Sequence, residues 1–199
     1  MKKMLFWKGR GTKNVLEDFL EEMSGEFSVV RFPFEYDKGS FPLFPDSEWN
    51  RWLYDNPCDV WCGISLGASL MYAASSACNR IIPTSMILIN PFISRSQLSL
   101  EKNFSISDQW ELELRDKPLK ITKCSVVLSV HDEKIGIHHG IELAGQISAS
   151  EKDLILLESD HCLSDTKIQI DLANLLKGSE SSYDSIHQYR YIHKRNRNT

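Results

Sequence analysis

The pentapeptide Gly63-Ile64-Ser65-Leu66-Gly67 carries the clearest chemistry in the chain. It follows the β-rich apolar run 59–62 and opens the small-residue stretch Ala68-Ser69-Leu70-Met71-Tyr72-Ala73-Ala74, so it reads as strand, tight turn and helix in that order. A serine on such a turn presents its hydroxyl beyond the end of the strand. Glycines flank it because side chains there would collide with neighbouring backbone. The bare pattern also occurs as a plain glycine turn, and the strand-to-helix setting is what favours a nucleophile. A serine hydroxyl attacks weakly until an imidazole accepts its proton, and a carboxylate must fix the tautomer of that imidazole. Carboxylates and imidazoles available near the later apolar runs are Asp132 and Glu133, and His131, His138, His139 and His161. Each has a bland alternative, since an aspartate closing a strand often begins a turn and a histidine in a polar loop is often solvated.

The elements that must position these groups follow from periodicity. Apolar β-rich runs at 5–7, 27–32, 59–62, 86–89, 124–130 and 154–157 alternate with segments of helical period. Between the first two, Val15, Leu16, Phe19, Leu20 and Met23 recur at three- and four-residue steps with Glu17, Asp18, Glu21 and Glu22 opposite, an amphipathic helix ending near Gly25. Further helices are expected over 47–54, 66–78, 137–147 and 166–176, the last capped by Ser164 or Asp165. This alternation predicts an α/β fold: a doubly wound, mainly parallel six-stranded sheet with helices on both faces and strand order 2-1-3-4-5-6. Functional groups then gather beyond the carboxyl ends of the strands. Two segments depart from the pattern. Residues 91–123 are mixed polar with weak periodicity and are expected to cover the site as a lid. Residues 178–199 are rich in Ser, Tyr, Asn and Arg, carry four basic against two acidic side chains, and read as a polar, basic, mobile tail after a domain spanning 1–177.

Composition bounds the partners. The 199 residues are 42% hydrophobic and 25% charged, which fits one domain with a sizeable core. With a net charge of −4 there is no extended basic surface for nucleic acid. The basic amino terminus meets only Met4-Leu5-Phe6-Trp7 before the next charge, too short for a signal-peptide core, and no run reaches the length of a membrane span. The five cysteines, Cys58, Cys62, Cys78, Cys124 and Cys162, form no secreted-type framework, so reduced thiols and a cytoplasmic location are expected. Cys58 and Cys62 have no second pair at zinc-ligand spacing, and no metal or other cofactor is implied.

Over about residues 4–177 the chain resembles the α/β-hydrolase superfamily, in a trimmed form that begins at the strand preceding the oxyanion loop. In that family the acid follows the second strand after the nucleophile, which here is Asp132 after Val126-Val127-Leu128-Ser129-Val130. The base follows one further strand, which here is His161 after Leu154-Ile155-Leu156-Leu157. His131, His138 and His139 precede that strand, and Glu133 is the alternative acid. A cysteine hydrolase would carry Cys where Ser65 stands, so Cys162 reads as packing. The developing oxyanion needs amide donors, one from the backbone of Leu66 at a helix amino terminus. Trp7-Lys8-Gly9-Arg10-Gly11 resembles the family's His-Gly-x-Gly loop, with Lys8 in place of the usual His, and implies the Arg10 amide as second donor. As a phosphate cradle this loop lacks the third glycine and the downstream acid of a dinucleotide site. The aromatic residues of 31–36 and 41–45 either line an acyl pocket or cap the core.

The resemblance implies a serine hydrolase acting through an acyl-enzyme on a small-molecule or carrier-linked carboxylic ester or thioester. An acyltransferase with the same triad, and a catalytically silent member that binds a ligand or protein, are the alternatives.

Overall fold

A computed structural model of the protein describes residues 1–9, 16–33, 47–77, 83–91, 120–178 and 186–192. In chain order the elements are β1 (Lys2–Trp7), α1 (Glu17–Ser24), β2 (Phe27–Arg31), α2 (Ser47–Asp55), β3 (Val60–Ile64) and α3 (Leu66–Ala77). Then come β4 (Ser85–Ile89), β5 (Lys120–Ser129), α4 (Ile137–Gln146), β6 (Ser148–Leu157), α5 (Thr166–Lys177) and β7 (Ile186–Ile192). They form one seven-stranded sheet of order β2-β1-β3-β4-β5-β6-β7. Strands β1 to β6 are parallel in the expected order, and β7 runs antiparallel along β6, from Ile186 opposite Leu157 to Ile192 opposite Glu151.

The seventh strand corrects the expectation of six, and it falls in the segment 178–199 read from sequence as a tail. Ile186 is buried at its start, but His187, Gln188 and Tyr189 are exposed, so the strand shows no apolar run. Main-chain pairing to a neighbour holds such an edge strand without an apolar signal. The last residues of the segment 91–123 likewise belong to β5, which starts at Lys120; residues 92–119 lie outside the described residues.

Alternation along each strand sends neighbours to opposite faces. On one face Leu5, Trp7, Trp61, Met86, Leu88, Val126 and Leu128 pack under Leu70 and Met71 of α3 and Leu143 of α4. On the other Met4, Phe6, Cys62, Ile87, Val127 and Ile155 pack under Phe19 and Met23 of α1 and Ile168 and Leu172 of α5. The two apolar layers are what the doubly wound sheet requires, and each fully buried Leu or Ile contributes roughly 1.5–3 kcal/mol. Phe32 just after β2 is buried, stacked on Trp7 at 3.7 Å and edge-on to Trp52 at 5.4 Å, so it belongs to the core. The other aromatics of that loop, Phe34, Tyr36, Phe41 and Phe44, lie outside the described residues.

Helix ends follow local chemistry. Asp165 caps α5, its carboxylate accepting from the amides of Lys167 and Ile168, and Gly178 closes that helix at φ 94°. The amino-terminal ends of α1 and α5 lie side by side, with Thr166 donating to Asp18 at 3.0 Å.

Candidate active site

Ser65 is the single residue between the end of β3 and the start of α3, and its φ is 52°. Left-handed backbone in a residue with a Cβ costs on the order of 1–3 kcal/mol and persists only where the surroundings hold it. Here they do: the Ser65 amide donates to the Ile89 carbonyl at 2.8 Å, and the Ser65 carbonyl accepts from the Ser69 amide at 3.1 Å. The flanking glycines meet the same crowding. A Cβ on Gly63 would stand 2.8 Å from Ala68 Cα, and one on Gly67 would overlap the carbonyl oxygens of Trp7 and Lys8. The end of β1 therefore presses against the first turn of α3, an approach only glycine permits.

Asp132 follows β5 in a turn closed by its own amide donating to the Ser129 carbonyl at 3.3 Å. Its Oδ1 accepts from the amides of Lys134 and Ile135, each at 2.8 Å, which leaves Oδ2 free to face the next loop. There it meets His161, whose Nδ1 lies 2.7 Å away. His161 Nε2 lies 3.0 Å from Ser65 Oγ on the other side of the ring. A carboxylate oxygen only accepts, so Nδ1 donates and Nε2 is left with the lone pair facing the serine hydroxyl. The His161 and Asp132 side chains are 6% and 3% exposed, so the carboxylate–imidazole pair is shielded from water, which strengthens the bond between them, while Ser65 at the end of the line is half-buried.

The other candidates stand apart from it. His131 pairs through Nε2 with Glu158 at 3.0 Å on the surface, and Glu133 is exposed. His138 and His139 lie against each other, ring centres 3.8 Å apart, at the start of α4, where burial and the neighbouring ring hold His139 below its usual range. Cys162 is half-buried and burial pushes its thiol up despite Lys134 nearby. Burial opposes ionisation of Asp160, but the Ser164 hydroxyl at 2.6 Å and nearby amides outweigh it and hold its carboxyl low. That carboxylate fixes the loop rather than facing the serine. Cys62 and Cys124 are buried in the sheet, the latter pushed up to about 12 by burial, and Cys58 donates to the Asn56 carbonyl at 3.4 Å. Among the described residues no cluster of His, Cys, Asp and Glu is arranged to hold a metal. No helix among them is long and apolar enough to cross a membrane.

Leu66 opens α3, so its amide is one of the first-turn donors with no intrahelical acceptor, beside Ser65. Arg10, the other expected oxyanion donor, lies outside the described residues. One polar residue not singled out in the sequence lies among the others: Asn90, directly after β4, is 2% exposed and has φ 46°. Its signal was the pair Asn90-Pro91 closing an apolar run, since Asn is among the few residues that tolerate this backbone region.

No protein-family model and no curated protein matches the sequence. Solved structures do match. The esterase domain of a Rhodothermus marinus protein is 17% identical over 88% of this chain and 84% of its own, with a TM-score of 0.63. Est1E from Butyrivibrio proteoclasticus, solved with ferulic acid bound, is 13% identical over 89% of this chain and 88% of its own, with a TM-score of 0.64. A monoacylglycerol lipase from Paleococcus ferrophilus is 9% identical over 87% of this chain and 91% of its own, with a TM-score of 0.65. At such identities the likeness is one of fold.

Proposed function

We propose that this chain, which has the α/β-hydrolase fold, is a serine hydrolase that cleaves a carboxylic ester or thioester through an acyl-enzyme on Ser65, His161 and Asp132. The observation that carries the reading is the continuous hydrogen-bonded line from Asp132 Oδ2 through the His161 ring to Ser65 Oγ, with the serine held at positive φ at the carboxyl end of the sheet. As Ser65 Oγ bonds to the substrate carbonyl carbon, its proton passes to His161 Nε2, and Asp132 stabilises the imidazolium through Nδ1–H. The carbonyl oxygen gains the negative charge beside the Leu66 amide, with the Arg10 amide assigned as second donor by resemblance. The bond to the leaving alkoxide or thiolate then breaks, and the proton on Nε2 goes to the leaving group. Water repeats the sequence: its proton passes to Nε2, the acyl–Oγ bond breaks, Ser65 regains its proton and the acid departs. The neighbours described as an esterase domain and a monoacylglycerol lipase support the ester class.

The test is labelling with a fluorophosphonate, followed by rates on esters and thioesters of graded acyl length, for the parent and Ser65→Ala. Expected are stoichiometric labelling of Ser65 and near-complete loss of hydrolysis in the variant, which still folds. A variant within about tenfold of the parent, only about 1.4 kcal/mol in barrier, overturns the reading.

A further inference from the structure

The end of β4 is joined to the main chain at or near all three reacting residues. The Ile89 carbonyl accepts the Ser65 amide at 2.8 Å. The next side chain, Asn90, donates from Nδ2 to the His161 carbonyl at 2.9 Å and to Ser129 Oγ at 3.0 Å. Its Oδ1 accepts the Ser129 amide at 2.8 Å, and the Ser129 carbonyl in turn accepts the Asp132 amide at 3.3 Å. The Asn90 amide itself donates to the Val127 carbonyl at 2.8 Å. Nucleophile, base and acid thus share one anchoring point, which the hydrogen bonds within the triad do not themselves provide.

A carboxamide is the group this point demands. It must donate to one carbonyl and accept from one amide at once, in a site closed to water, and its backbone must enter the left-handed region. Aspartate would turn an oxygen toward the His161 carbonyl, and a shorter hydroxyl would not span both partners. The loop carrying the base is held on either side as well, by the His131 amide on the Ser159 carbonyl at 3.1 Å and by Gln169 Nε2 on the Leu163 carbonyl at 2.8 Å. At His161 itself the main chain is held by Asn90.

We infer that Asn90 is a positioning residue for catalysis: by fixing the His161 carbonyl and the end of β5 together, it sets the imidazole at bonding distance from Ser65 Oγ and Asp132 Oδ2 at the same time. This rests on the serine-hydrolase reading above. Asn90 touches no substrate. Its contribution is a geometric one, and displacements of about 1 Å at a reacting centre lower rates on the order of 10²-fold.

The experiment compares kcat per fluorophosphonate-titrated site, KM and thermal stability for Asn90→Gly, Asn90→Asp and Ser129→Ala, with the hydrolysis rate per folded molecule of Ser65→Ala, which has no site to titrate, alongside. Glycine accepts the backbone and deletes the amide. Aspartate keeps the shape and the acceptor for the Ser129 amide but loses the donation to His161. Both are expected to lower kcat by about 10²-fold with KM little changed, and Ser129→Ala to lose much less. Titrating sites counts only folded, reactive molecules, so partial unfolding does not disguise the result. If Asn90→Gly yields no folded protein, Asn90→Asp against Ser129→Ala decides. Stability lost with kcat per titrated site kept in Asn90→Asp overturns the inference and leaves a structural residue. Hydrolysis surviving in Ser65→Ala instead overturns the reading on which it stands, so the two failures are distinguishable.

Discussion

On the two faces of the sheet the buried groups are Met4, Trp61, Ile87, Val126 and Ile155, while at the carboxyl ends of the same strands the groups packed together are Ser65, Asn90, Ser129, Asp132 and His161. The faces are apolar and regular, and any side chain of similar volume fits them at modest cost. The ends carry the polar groups and are constrained: among the described residues the non-glycine positions at positive φ are Ser65 and Asn90 beside the triad, and Leu16 and Leu163, apolar and buried, where the chain enters α1 and α5. Such conformations are destabilising by roughly 1–3 kcal/mol each, so the faces must supply the stability that lets the ends persist. Changes in the two regions should therefore be read by different instruments, kinetics at the ends and unfolding on the faces.

The largest effect belongs at the ends. Asp132→Asn should keep its turn, because an amide oxygen can still accept from Lys134 and Ile135, yet lower kcat by up to about 10⁴-fold through the wrong imidazole tautomer. His161→Ala should cost about as much as Ser65→Ala, since groups acting as one unit do not add, while Glu133→Gln and changes at His131 should be mild. Steady-state kinetics decide this, and a more damaging Glu133→Gln would break the assignment. On the faces, Leu172→Ala removes a fully buried side chain between α5 and α1 and should destabilise by about 2–5 kcal/mol in urea unfolding, with kcat per folded molecule kept. Gly67→Ala tests where the regions meet. Its methyl would run into the backbone of Trp7 and Lys8, so about 1–3 kcal/mol should be lost together with activity, as the first turn of α3 moves from Ser65.

The smallest effect lies away from both. Arg31 of β2 holds the Glu17 carboxylate of α1 in two bonds of 3.0 and 2.7 Å, with side chains 61% and 45% exposed. The hydrogen bond to Arg31 outweighs burial and keeps the Glu17 carboxyl below its ordinary value. A carboxyl lowered by folding stabilises at pH above its unfolded value, and that contribution fades as pH falls through the lower folded one. Glu17→Gln should thus cost under about 1 kcal/mol near neutrality after solvent screening, and the difference from the parent should vanish in acid and shrink with salt. Denaturation at several pH values checks the sign.

Much of the parallel sheet could be read from residue pattern because buried strands are near-continuous apolar runs: the run at 86–89 became Ser85–Ile89, and that at 59–62 became Val60–Ile64. Polar beginnings were missed for the same reason. In β6 the residues Ser148 to Asp153 are polar except for Ala149 and partly face solvent, and the apolar pattern starts only at Leu154. At the ends Ser65 was legible from its glycines, since the close approach of backbone that excludes a Cβ leaves a mark in sequence. Asp132 and His161 were not distinguishable from their neighbours by type, and chain order in the resembling family chose them. Asn90 escaped because the pair Asn90-Pro91 marks only a turn, while its contacts to Ser129 and His161 lie 39 and 71 residues away, which no local pattern encodes.

The antiparallel strand β7 has a consequence for the molecule among its own copies. Without it, the ten residues of β6 would form the boundary of the sheet, a long row of amides and carbonyls facing outward. Such a row invites another chain to add a strand, whereas β7 covers it from Glu151 to Leu157 and makes the new edge a shorter strand with exposed His187, Gln188 and Tyr189. A chain cut after Gly178 keeps Ser65, Asp132 and His161, yet should self-associate on size-exclusion chromatography where the full chain does not. In this respect the carboxyl-terminal strand works as an edge guard, keeping a parallel sheet from polymerising through its last strand.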